Sequence, residues 1–225
     1  MEKKKLKEGD IFYVKINDKY IFGKILIDIS ERILKLESQH KYKFYSGCYL
    51  ATVFSGIYDD PILTTTEIIL PSQFTFKRYF YSKQYKVEWF FYEHQPIDYT
   101  KIDFPEVLET GDNGLINFRK CDVSIPTKTL YKNFPRQNMN DSPTSIQNYT
   151  GCLCPSFYQM ADDAIHLQGR DDLLRDKERT DFISKNDLRL SIEDRARFYA
   201  EIGEDPNQSY YEMALKYGFD LARFY

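Results

Sequence analysis

Residues 7–28, KEGDIFYVKINDKYIFGKILID, constrain the fold more than any other stretch of the chain. Ile11-Phe12-Tyr13-Val14-Lys15-Ile16 is dense in β-branched and aromatic side chains, which suit a half-buried pleated surface. Asn17-Asp18-Lys19 follows as a turn, because Asn and Asp tolerate a left-handed backbone and bond to their own main chain. The run Tyr20 through Ile27 returns as a second strand. Gly23 inside that run gives up packing, so it marks a bulge or a close backbone approach. Glu8-Gly9-Asp10 launches the first strand. The pattern predicts an antiparallel hairpin, and so a domain that opens as β-sheet.

Further strands are expected at residues 32–37, 49–54, 65–70 (stopped by Pro71), 74–80 and 85–92, the last holding the only tryptophan. Residues 104–109 read equally as helix or strand, Gly111-Asp112-Asn113-Gly114 as a turn, and residues 115–125 as one last strand containing Cys121. Short strands at this spacing predict a mainly antiparallel twisted sheet or a small barrel. The stretch 131–150 is polar and rich in Pro and Asn, and reads as a loop or linker. Beyond it helices are expected: over residues 171–182, after Ser191 as far as Gly203, and after the capping box Ser209-Tyr210-Tyr211-Glu212 as far as Gly218. Phe219, Leu221 and Phe224 are expected to fold back on the core. The expected class is α+β: a β-rich domain over 1–130, a linker over 131–150, and a helical region over 151–225 packed on the β-domain.

At 225 residues the chain is long enough to bury a sizeable core. Its net charge of −3 does not call for nucleic acid or an anionic membrane. The charge is uneven: residues 1–95 carry 15 basic and 12 acidic side chains, whereas residues 96–225 carry 16 and 22. The acidic half could face a basic partner, and solvated helix faces explain it equally. No apolar core of signal-peptide length follows the basic start, and no stretch approaches a membrane span, so a cytoplasmic location is expected. Four cysteines, Cys48, Cys121, Cys152 and Cys154, fit reduced thiols.

Residue patterns for catalysis are weak. Cys152-x-Cys154 is a tight pair, but structural zinc needs four ligands, and His40, His94 and His166 stand apart. No Gly-x-Ser-x-Gly elbow surrounds Ser156, and no phosphate-binding glycine loop occurs. The acid pairs Asp59-Asp60, Asp162-Asp163 and Asp171-Asp172 could hold a cation or act as acid and base, and equally could be solvated. Lys3, Lys4, Lys5 and Lys7, and Lys77-Arg78 beside Tyr79-Phe80-Tyr81, place charge next to aromatics as a single-strand binder would.

Gly9-Asp10-Ile11-Phe12 and Tyr20-Ile21-Phe22-Gly23-Lys24-Ile25-Leu26 resemble the opening signature of the bacterial immunity protein 26 family. Residues 66–70 and Lys86-Val87-Glu88-Trp89 resemble its last strands, and the resemblance covers roughly residues 6–97. It implies an immunity protein of a polymorphic toxin system, which binds a toxin domain encoded by a neighbouring gene and neutralises it by occlusion. Such a protein requires neither catalytic residues nor cofactor nor metal. Exposed tyrosines and acidic residues of loops and C-terminal helices are the expected contacts, with Asp59, Asp60, Asp162, Asp163, Glu204 and Asp205 as candidates. Two rival readings stay open: a metal-dependent, phosphotriesterase-like hydrolase, and a binding module for a peptide or single-stranded nucleic acid.

Overall fold

In the computed structural model, Asp10–Ile16 (β1) and Lys19–Asp28 (β2) pair antiparallel with Ile16 opposite Lys19, which leaves Asn17 and Asp18 as a two-residue loop. Both adopt positive φ, +46° and +65°, as a hairpin turn matched to strand twist requires. The structure describes residues 5–84, 87–111, 114–130, 132, 154–180, 182–183 and 187–225. The expected linker 131–150, except Lys132, therefore lies outside the described residues, as do Lys3, Lys4, Tyr85, Lys86, Asp112, Asn113 and Cys152.

The chain is α+β and divides into two units. Unit one comprises Met1–Tyr99, Leu153–Thr180 and Arg223–Tyr225; unit two comprises Thr100–Cys152 and Asp181–Ala222. In unit one, Cys48–Phe54 (β3), Ile68–Phe76 (β4) and Trp89–His94 (β5) complete an open antiparallel sheet of order β4-β3-β2-β1-β5. β3 is buried along its whole length. One sheet face carries Phe12 and Gly23 beneath the helix Phe157–Leu167 (α2), with the Phe12 and Phe157 ring centroids 4.5 Å apart. On the other face Ile11, Phe22 and Phe54 form a buried cluster.

Several expected strands are corrected. Residues 32–37 are not extended: Ile29–Leu34 forms a π-helical turn whose four-residue spacing buries Ile29 and Ile33 together, and Asp28 caps it at the Glu31 N–H. β4 does not stop at Pro71 but runs through it. As an edge strand it tolerates the missing N–H, and its register with β3 shifts there. Residues 74–80 are not one strand, because the chain turns into the short helix Lys77–Tyr81 (α1). Of the strand expected over 85–92, the described part yields β5 from Trp89, and it lies at the sheet edge.

In unit two, Glu106–Thr110 (β6), Leu115–Lys120 (β7) and Val123–Leu130 (β8) form a three-stranded antiparallel meander. The single strand expected over 115–125 is thus two strands, folded at Cys121, whose φ is +52°. Ile192–Ile202 (α3) packs on β8 and ends at Gly203 with φ +73°. Ser191 precedes it, but its hydroxyl bonds the Asp194 carboxylate at 3.3 Å instead of a helix N–H. Tyr210–Lys216 (α4) carries the expected Ser209–Glu212 capping box.

Among the described residues of 171–182, the expected helix is replaced by a 3-10 turn, Asp171–Leu173. The helix of that region is α2, capped by Ser156 and Gln159 in a reciprocal box. Leu221 and Phe224 are buried as expected, whereas Phe219 stays 37% exposed. No helix among the described residues is long and apolar enough to cross a membrane.

Candidate partner-binding surface

The half-exposed aromatic face of the five-stranded sheet is the most distinctive surface of unit one. Side chains of facing strand partners share a face, so Tyr13 lies beside Phe22 on β2 and Phe90 on β5. Tyr13 stacks on Phe90 at 5.3 Å and 18°, and meets Tyr20 edge-on at 5.5 Å. Between Ile11 and Phe12 the pairing with β5 slips by one residue, which makes Tyr92 the extra residue of a bulge. Its ring turns onto Phe22 at 5.1 Å, and Tyr58 closes on the same ring at 5.3 Å.

β5 is the last strand in the sheet, and no further strand lies beside it among the described residues. It shows Phe90 at 44% and Phe91 at 39% exposure. Phe91 pairs with Phe12, so the two exposed rings point to opposite faces of the edge. An exposed apolar edge strand offers unpaired backbone groups and anchoring rings to another chain.

The cations around this face are answered by carboxylates. Lys15 bonds Asp18 at 2.8 Å and Lys19 bonds Asp59. Burial lowers the Lys24 ammonium below its ordinary value, against the pull of Glu93. The face is therefore aromatic with little net charge.

A polar cleft of about 560 Å³ lies where the chain enters β1 and leaves β5, lined among others by Glu8, Arg32, Lys35, His94 and Tyr99. Glu8 organises it. Its carboxylate accepts from Arg32 Nη2 at 2.6 Å, from the Tyr99 hydroxyl at 2.8 Å and from the Asp28 N–H at 2.9 Å. Arg32 also lies 4.6 Å from the Tyr99 ring centroid. Buried Asp10 accepts the Lys7 N–H at 2.9 Å and faces His94 Nδ1 at 2.9 Å, which leaves Nε2 as the outward nitrogen. Gly9 sits at φ +88°, and a Cβ there would come within 2.4 Å of the Gln95 carbonyl. The Gly9-Asp10 pair therefore stitches the start of β1 to the end of β5, a scaffold role.

Burial raises the Tyr99 phenol to about 12, helped by the adjacent Glu8 carboxylate and opposed by Arg32. A folded value above the unfolded one stabilises the fold fully below the ordinary phenol pKa of about 10 and loses that stabilisation as pH rises toward about 12. Stability is expected to fall across this alkaline window, and Tyr99→Phe to flatten the fall. Urea midpoints measured at stepped pH check this, and an unchanged slope in the variant counts against it.

The acidic candidates divide by environment. Asp59, Asp60 and Asp205 are exposed. Asp162 and Asp163 are not available as contacts: both are buried on α2, with Asp163 bonded to Arg179 at 2.7 Å and Asp162 accepting the Arg175 N–H at 3.2 Å. The Glu204 carboxylate is also enclosed, held by Lys216 and Tyr217 at 2.7 Å and by Gln208 at 2.7 Å. Of the second acid pairs, Asp171 meets His166 and Asp172 meets Arg170.

His40 accepts the Tyr42 N–H at the start of a 3-10 turn, and Cys154 lies against Cys48. Lys77 bonds Asp28, and Phe80 is buried against Phe12, so this basic-aromatic run serves the fold. The exposure of the edge aromatics was not legible in the sequence, because an apolar run does not announce its place in a sheet; only the strand order shows it to be an edge. No family model matches the chain, and no curated protein or solved structure is similar to it.

Proposed function

We propose that the chain is an immunity protein that binds a cognate bacterial toxin domain and neutralises it by occlusion in the cytoplasm of the producing cell. The observation that carries this reading is the β5 edge, where exposed Phe90 is continuous with a tyrosine-rich sheet face and exposed Phe91 points to the opposite side. Aromatic rings supply large contact area at small entropic cost and dominate protein interfaces. A single-strand nucleic-acid platform also uses aromatics, but needs cations left over for phosphates. Here Lys15 and Lys19 are bonded to carboxylates, which favours a protein partner. The resemblance of Gly9-Asp10-Ile11-Phe12 and Phe22-Gly23-Lys24 to an immunity family supplies the kind of partner. The contact surface moves from the loop and helix acids to the sheet edge, with exposed Asp59 as a charge bonded to Lys19 at the end of the β1–β2 hairpin.

The test is co-purification of the tagged chain with the toxin domain of the adjacent gene. Wild type is expected to retain the toxin at moderate salt, and Phe90→Asp to weaken the complex at least tenfold. Failure to recover any neighbour-encoded protein, or full binding by Phe90→Asp, overturns the reading.

A further inference from the structure

Cys48 opens β3, and Cys154 precedes the capping residue of α2 by two positions. Both belong to unit one and both are buried, yet their sulfurs stand 3.9 Å apart. A disulfide bond is about 2.05 Å long, so the sulfurs must close by about 1.9 Å to be joined. Cys154 sits in the left-handed backbone region, φ +44°, which L residues adopt only when their surroundings hold them there. Cys48 pairs across the sheet with Phe76, immediately before the cations Lys77 and Arg78.

We infer that Cys48 and Cys154 are a redox-active dithiol, a modification site for a small peroxide, whose oxidation ties the entry of α2 to the start of β3. This does not depend on the proposed partner. The two sulfurs have different roles. The Cys48 thiol donates its proton toward Cys154, which lowers the Cys154 thiol below its ordinary value, with the Arg78 charge adding to the effect against burial. The same bond, together with burial, raises Cys48. Cys154 is also the more exposed of the two, 6% against 0%, so it is assigned as the attacking thiolate and Cys48 as the resolving thiol.

The Cys154 thiolate attacks one oxygen of hydrogen peroxide. The O–O bond breaks, hydroxide leaves and takes up a proton, and Cys154 becomes a sulfenic acid. Cys48 then gives up its proton and attacks the Cys154 sulfur, and the sulfenic oxygen departs as water. Two thiols and one peroxide yield one disulfide and two waters. A small oxidant suits a pair this buried.

Reduced full-length protein is treated with hydrogen peroxide without denaturant, then denatured, alkylated and mapped by mass spectrometry without reduction. The expected result is a loss of 2 Da, a peptide linking residues 48 and 154, and full reversal by dithiothreitol. Cys48→Ser is expected to accumulate a sulfenic acid at residue 154 that dimedone traps. Cys154→Ser is expected to leave Cys48 a thiol. Should either variant fail to fold, the wild-type map decides alone. A link through Cys121 or Cys152, or undiminished alkylation of Cys48 and Cys154 after peroxide, overturns the inference.

Discussion

Glu106→Ala is expected to lower the stability of the three-stranded unit by about 3–5 kcal/mol, read from the urea midpoint. The Glu106 side chain is fully buried and accepts four bonds. Arg195 grips it from Nε and Nη2, both at 2.8 Å; the Tyr199 hydroxyl donates at 2.7 Å and Lys120 at 3.1 Å. Asp103 extends the network, taking Lys120 at 2.7 Å and Arg189 at 3.0 Å, and Arg189 continues to Asp187 at 2.8 Å. Three carboxylates thus balance three cations inside one unit.

Removing Glu106 leaves Lys120 and Arg195 with one carboxylate too few, in surroundings where an uncompensated charge costs several kcal/mol. The control is Glu109→Ala. It loses the partly exposed pair with Arg119 at 3.2 Å and an exposed bond from the Ser124 hydroxyl at 3.4 Å, and should change stability by less than about 1 kcal/mol. Equal effects of the two substitutions would show that the buried network contributes no more than a surface pair.

The network also sets an acid limit. Burial alone would raise the Asp103 carboxyl, but the Arg189 and Lys120 charges outweigh it and hold it below the ordinary carboxylate value. A carboxyl depressed in the fold adds stability above its unfolded pKa, and that stability fades as pH falls through the lower folded value.

Local rules reached part of this fold. Asn17-Asp18 named its own turn, and the Ser209–Glu212 box named its own helix, because both depend on neighbours in sequence. α2 was equally readable but was overlooked. Phe157, Met160, Ala161, Ala164 and Ile165 fall at helical spacing behind Ser156-x-x-Gln159, while the adjacent acids Asp162 and Asp163 suggested a solvated stretch. Their burial depends on Arg179, which no local pattern ties to α2.

The β7–β8 turn was unreadable for another reason. Cys121 takes a left-handed conformation with no Gly or Asn to signal it. The Glu106 network joins residues as far as 93 positions apart, and the exposed edge of β5 follows from strand order alone. Both features need the assembled fold before they can be seen.

Gly23 shows what the opening hairpin contributes beyond a turn. Its φ is not in the left-handed region, so the backbone there suits any residue and the constraint is space. A Cβ at position 23 would stand 2.3 Å and 2.5 Å from Cζ and Cε2 of Phe157, and 2.7 Å from the Thr52 carbonyl oxygen. Phe157 is fully buried and packs on Phe12, so it cannot swing out of the way without opening the core. Gly23→Ala is accordingly expected to cost about 1–3 kcal/mol by overpacking, and Phe157→Ala about 3–5 kcal/mol through the cavity it leaves.

The double substitution separates a steric fit from a backbone requirement. Truncating Phe157 removes the two closest clashes, so the added methyl partly fills the space the ring vacated. The double variant should then be more stable than the sum of the single losses by about 1–2 kcal/mol, within the range found for residues in contact. The Thr52 carbonyl remains, so the rescue stays incomplete. Urea denaturation followed by circular dichroism measures all three variants. Strict additivity would mean that Gly23 is held by the strand itself and not by the helix packed above it.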